Sequence, residues 1–342
     1  MANLLEKDIS SGKREELADL IALVDAKDTP FTSMAKKGSK PGNTLFRWQA
    51  DSLPTPKQTG TVDGTDVTTY DNYVKDNGIT YRAELSNYIQ IFRRSVRVSP
   101  LTQDIATIAG VRDELANNVA KGIQALKRDM EATLCSNNGA QADNGTIPYL
   151  TRGLHKWLQP IATKDATLAV PDTFCTPTAN RSTVGTAALT ETVVQNILTG
   201  IYSQTGQYKD YDALVGTALK RAFTNLVFTT ASSGSTNTQT AIRTLNRDSD
   251  SSSYIASVDI FEGDFGKLRL HPSHYLNATA GVGSTFAGYV IPFDQVEVRY
   301  GGNVAGVTAL TNNGGGEARM IEAVAGLCVY NPLAFGVFDF TA

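Results

Sequence analysis

Histidine is scarce in this chain of 342 residues, with three in all, and cysteine is equally rare. Two of the histidines, His271 and His274, stand three apart in His-Pro-Ser-His, but the proline disfavours the helix that would align them. No third ligand lies near in sequence, which argues against a metal centre. Cys135, Cys175 and Cys328 are odd in number and far apart, a pattern of buried thiols in a reducing compartment rather than of a disulfide framework. Charged residues make up only 19%, which excludes a highly charged disordered chain and a coiled coil. Long apolar runs are missing too. A stretch such as Ala323 to Tyr330 falls far short of the roughly 18 residues that suggest a membrane span. The first residues, Met-Ala-Asn-Leu-Leu-Glu-Lys-Asp, place charge where a signal peptide needs its apolar core, so a soluble protein made inside the cell is expected.

Motifs that carry chemistry are absent as well. There is no Cys-x-x-Cys, no His-Glu-x-x-His, no calcium-loop spacing and no Gly-x-Ser-x-Gly elbow. Glu262 to Lys267 lacks the first glycine of a phosphate loop, and Leu268 stands where Ser or Thr holds magnesium. Gly281-x-Gly283 leads to Phe286 where a dinucleotide fingerprint needs its third glycine. Carboxylate pairs such as Asp248/Asp250 and Glu262/Asp264 sit in or beside polar turns, where solvated charge is the ordinary reading. No catalytic, cofactor-binding or metal residue is assigned. The net charge of −3 divides as 18 basic and 18 acidic residues in 1–140 and 13 and 16 in 141–342, so neither half is a polycation and sequence-reading nucleic-acid binding is disfavoured.

What is present is an order of parts. Length alone suggests about two domains. Leu17, Leu20, Ile21 and Val24 form the stripe of a short amphipathic helix, which must dock on its own core or on a neighbour. Thr29 and Pro30 read as the cap and first residue of a second short helix. Strands are expected at 44–49 and 79–86, joined by a Thr-, Gly-, Asp- and Pro-rich segment, 53–78, too long for an ordinary loop inside a compact domain. Arg93-Arg94-Ser95-Val96-Arg97 reads as a strand with charge on one face. From about 101 to 136 there is no proline, and Ile105, Ile108, Leu115, Val119, Ile123, Leu126, Met130 and Leu134 keep a helical stripe. A single helix of about 50 Å follows, with Gly110 and Gly122 as weak points. Further on, helices are expected at 189–204 and 218–226, and strands at 211–215, 258–261, 266–270, 296–300 and 320–330. Eight of the twelve residues 229–240 are Ser or Thr, marking a surface loop.

This order resembles the major capsid proteins of tailed bacteriophages, whose fold is shared with encapsulins and the herpesvirus capsid floor. The residues that carry the resemblance are Asp28-Thr29-Pro30-Phe31, Trp48-Gln49-Ala50-Asp51-Ser52-Leu53, Asn87-Tyr88-Ile89-Gln90-Ile91-Phe92, Val98-Ser99 and Lys127-Arg128-Asp129-Met130-Glu131. Later in the chain come Val258 to Gly266, Arg319-Met320-Ile321-Glu322 and Val329-Tyr330-Asn331-Pro332. The resemblance implies an α+β fold with an N-terminal arm (1–45), an extended hairpin loop (46–92), a peripheral domain with the long spine helix (93–185), an axial domain (186–290) and return strands (291–342). It implies a structural, non-enzymatic subunit that assembles with itself, as hexamers and pentamers, into an icosahedral shell around double-stranded DNA. Portal and decoration or scaffolding proteins would be partners, the DNA would be touched weakly and without sequence preference, and no membrane or cofactor would be involved. The subunit would be assembled in the bacterial host cytoplasm and end in the virion. Two other readings are an encapsulin-like nanocompartment and a monomeric α+β hydrolase with a dispersed carboxylate site. The first predicts a protein cargo, the second a particle near 37 kDa.

Overall fold

The computed structural model describes residues 28–104, 113–183, 189–226, 258–277 and 287–339, apart from positions 55, 69, 72, 74, 77–78, 303–304 and 313. The expected stripe Leu17–Val24 and the Ser/Thr-rich loop at 229–240 lie outside the described residues.

In chain order the elements begin with α1 (Pro30–Met34), β1 (Lys36–Gly38), β2 (Leu45–Asp51), β3 (Lys75–Asp76), β4 (Ile79–Thr80), β5 (Arg82–Tyr88) and β6 (Gln90–Val98). Then come α2 (Pro100–Asp104), α3 (Glu114–Leu134), α4 (Leu154–Trp157), β7 (Arg181–Thr183), α5 (Glu191–Thr205), β8 (Lys209–Val215) and α6 (Thr217–Leu226). The chain closes with β9 (Ile260–Gly263), β10 (Gly266–Pro272), β11 (Gly288–Ile291), β12 (Val296–Tyr300), β13 (Gly306–Leu310), β14 (Glu317–Val329) and β15 (Gly336–Asp339). The chain divides into two compact units, and three of the divisions fall inside elements: in β6 after Phe92, in α3 after Leu126 and in β14 after Glu322.

In the smaller unit, β13 runs antiparallel to the first half of β14, with Thr308 opposite Met320, and β6 pairs with β14 as well. The first half of α3 presses on this sheet: a Cβ at Gly122 would lie 2.4 Å from the Ile321 methyl carbon. The glycine that weakened the helix pattern is therefore the point of closest approach between helix and strand. The spine helix is shorter than the apolar stripe suggested. It starts at Glu114, because Asp113 leaves helical conformation and its carboxylate accepts from the backbone N–H of Ala116 and from Gln103 Nε2. Asp at that position competes for the free N–H groups of a helix start, so a new helix begins there. Residues 105–112 lie outside the described residues, but a single unbroken helix over about 101–136 fails at Asp113.

In the larger unit, a six-stranded sheet runs in the order β7-β15-β11-β8-β10-β9. Its strands are short and rich in Val, Ile, Leu and Tyr. One face is covered by α5 and α6, whose Val194, Ile197, Leu198, Ile201, Leu219 and Phe223 pack on Ala213, Val215, Leu268, Leu270 and Phe338. Thr190 caps α5 by accepting from Val193 N–H, and Gly206 ends it at φ 64°. The same unit holds a second assembly of strands, in which β1 pairs in parallel with β12, and β12 pairs antiparallel with the second half of β14. The short strands β1, β7, β11 and β15 were not legible as patterns. Each has three or four residues, too few to show a period.

A candidate assembly surface

The ribbon β2–β5 is where the larger unit sends chain outward. Its register pairs Leu45 with Tyr88 and Asp51 with Arg82. Alternation sets its two faces apart. Phe46, Trp48, Ala83, Leu85 and Asn87 point inward and are buried. The other face carries the ion pairs Arg47–Glu84 (2.7 Å) and Asp51–Arg82 (3.0 Å), both about half exposed and worth little in stability.

The inward face is bolted at its root. Trp48 stacks against Phe46 and Trp157, with ring centroids 5.6 and 5.5 Å apart, and its Nε1–H donates to the Val329 carbonyl at 3.1 Å. Asn87, the first residue of one of the runs that carry the resemblance, does more. Its Nδ2 donates to the Leu327 carbonyl (2.7 Å) and to Thr151 Oγ1 (3.1 Å), while its Oδ1 accepts from the backbone N–H of Arg152 (2.8 Å). Arg152 is fully buried. Its guanidinium lies 4.3 Å over the Trp157 ring, pairs with Asp165 at 3.3 Å and donates to the carbonyls of Thr167 and Leu168. Burial lowers its pKa, and Asp165 opposes that. A buried charge with this many partners fixes geometry more than it adds stability. Tyr81 is half-buried and contributes its backbone carbonyl, which accepts from Ser52 N–H at 2.9 Å.

Beyond Ser52 the character changes. Leu53, Val62, Val67, Tyr70 and Tyr73 are 63–90% exposed, an unusual density of large apolar side chains in water. Lys57 pairs with Asp71 at 2.5 Å, and a turn from Val62 to Thr65 passes through Gly64 at φ 78°. A cleft of about 470 Å³ opens at the foot of this segment, between Leu53, Phe174, Tyr211, Pro292 and Tyr330.

The arm residues that are described dock on their own unit. Phe31 is fully buried, and the N–H groups of Phe31 and Thr32 donate to the two carboxylate oxygens of Glu131, each at 2.8 Å. Glu131, not the Thr29 side chain, caps α1. Burial raises the Glu131 pKa against the pull of these bonds. Lys36 and Lys37 stand in β1 opposite Glu297 and Val298.

Among the described residues, no group of His, Cys, Asp and Glu is placed to hold a metal ion. His271 bonds Asp212 at 2.9 Å, while His274 packs edge-on against Tyr275, so the two are not brought together. His155 is buried, and its Nδ1 shares a hydrogen bond with Tyr289 Oη at 3.1 Å. Burial holds its pKa down at about 4, against the pull of Asp339. The three thiols are buried and free, and burial raises the pKa of each, that of Cys328 to about 12. Such thiols are poor nucleophiles.

Comparison with known proteins places these features. The family profile described as SU10 major capsid protein matches residues 5–341. A curated major capsid protein of Escherichia phage Phieco32 is 33% identical over 141 residues, 41% of this chain and 38% of that protein. The match therefore spans less than half of that relative's length. Among solved structures, the capsid asymmetric unit of cyanophage A-1(L) superposes with a TM-score of 0.66 at 12% identity, covering 99% of this chain and 100% of that one. A chain of Gordonia phage Cozz gives 0.58 at 14% identity, with 99% of each chain covered. These similarities establish the α+β capsid fold that the order of elements implied.

Proposed function

The chain belongs to the SU10 major capsid protein family, and from that membership we propose that it is the repeating subunit of the icosahedral head shell of a tailed phage, enclosing double-stranded DNA. The observation that carries the reading is the segment beyond Ser52. Five large apolar side chains stand in water there, on an extension whose root is locked by Trp48 and Asn87. Among the described residues nothing buries them. A neighbour does, and closed symmetry lets every copy be buried alike.

The role is structural rather than catalytic. In this reading the chain forms hexamers and pentamers, with residues 46–92 as the extended loop, 93–185 and 186–290 as peripheral and axial domains, and 291–342 as return strands. The residues before 46 form the arm. Portal and scaffolding or decoration proteins bind the shell, and packaged DNA meets it by weak contacts. A formal charge of −3 suits this, since a strongly basic lining would immobilise the DNA. Assembly takes place in the host cytoplasm, and the product is part of the virion. Electron microscopy of the purified chain tests the proposal. Closed shells of uniform diameter are expected, whereas a species that stays at 36.7 kDa in sedimentation at every concentration overturns it.

A further inference from the structure

A sheet edge exposes a row of unpaired N–H and C=O groups, and proteins that must not aggregate guard such edges with charge. The terminal strands of the larger sheets follow this rule with one exception. Strand β1 carries Lys36 and Lys37, β6 carries Arg93, Arg94 and Arg97, β7 carries Arg181 and β9 carries Glu262. Strand β13 reads Gly-Val-Thr-Ala-Leu and carries no charge and no proline. It pairs with β14 on one side, and among the described residues no strand pairs with the other. Four of its five residues are exposed, Val307 at 45% and Leu310 at 41%.

We propose that β13 pairs antiparallel with β13 of a second copy, about a two-fold axis at Thr308. The inference rests on the shell reading above and names one of its contacts. The strand's sequence suits self-pairing. An axis at Thr308 sets Thr308 opposite Thr308, Val307 opposite Ala309 and Gly306 opposite Leu310. Thr–Thr and small apolar cross-strand pairs are favourable, and no like charges meet. The glycine leaves room beside the leucine. Strand β1 paired with itself about Lys37 sets Lys37 against Lys37, and β6 paired about Ser95 sets Arg93 against Arg97, so like charges meet in both. Two-fold pairing is also self-limiting: each copy's edge is consumed by one partner, so it closes instead of propagating as a fibre.

The test uses the full chain under conditions where it assembles. Thr308→Lys and Thr308→Glu each place like charges opposite one another, and each alone is expected to lower the shell yield at least about tenfold. An equimolar mixture restores it, because Lys then faces Glu. Position 308 is exposed, and circular dichroism of the free variants checks that they fold. As a second arm, paired strands hold opposite Cα atoms about 4.5–5.5 Å apart, within disulfide range. Thr308→Cys therefore gives a disulfide-linked dimer through position 308 when particles are oxidised. Three results overturn the proposal: single variants that assemble like the unaltered chain, a mixture no better than its components, or an introduced thiol that stays unlinked or links to another segment. Those results, with shells still forming, refute edge pairing alone. Failure of the unaltered chain to form shells refutes the shell reading itself.

Discussion

Glu131 joins two stretches of chain a hundred residues apart by offering both carboxylate oxygens to the first N–H groups of α1. Charge-assisted bonds of this kind contribute about 1.5–3 kcal/mol each when buried. Glu131→Gln keeps the shape but turns an N–H₂ toward one of those donors, so a loss of about 2 kcal/mol is expected in urea unfolding. His155 makes a prediction of opposite character. Its folded pKa of about 4 lies below the ordinary 6.5, so between those values the unfolded chain binds the extra proton. Stability is therefore unaffected by this group above about pH 7 and is lost as pH falls toward 4, by about 3 kcal/mol in all at about 1.36 kcal/mol per pH unit. His155→Gln removes that component. The difference between the two pH–stability curves measures it, and parallel curves from about pH 7 to 4 would refute the assignment.

Elements were legible in the sequence where periodicity had room to declare itself. Helices α5 and α6, strand β8, the β9–β10 hairpin and most of β14 stand where their apolar spacing puts them. The start of α3 was misjudged because Leu115 continues a stripe begun by Ile105 and Ile108, and a stripe does not register the capping carboxylate of Asp113. Asn87, Arg152 and Glu131 were not legible as anchors for another reason. The partners of Asn87 and Glu131 lie far away in the chain, at Leu327 and Phe31, and Arg152 meets Asp165 across an irregular stretch, so spacing carries no information about such pairs. The loop was legible, because a segment so long and so rich in Thr, Gly, Asp and Pro is not an ordinary connection. Deleting 56–76 spares the buried root at Trp48, Leu85 and Asn87. The shortened subunit is expected to keep its melting temperature within a few degrees and to yield no stable shells. Normal shells from the deletion would show that the loop does not clasp a neighbour.

For the whole molecule, the two compact units each carry their own reason to associate. The larger unit exposes the apolar extension beyond Ser52, and the smaller one exposes the uncharged edge of β13. Neither helps a solitary chain. Low net charge removes the long-range repulsion that keeps many proteins apart, which favours assembly over solubility. A subunit built this way has its extension covered by another copy once the shell has formed. Hydrogen exchange at residues 56–68, read by mass spectrometry in free subunits and in purified particles, tests this most directly. Exchange in the particle is expected to slow at least about tenfold, because buried backbone opens only with its interface. Equal, rapid exchange in both states would contradict an extension covered by its neighbour.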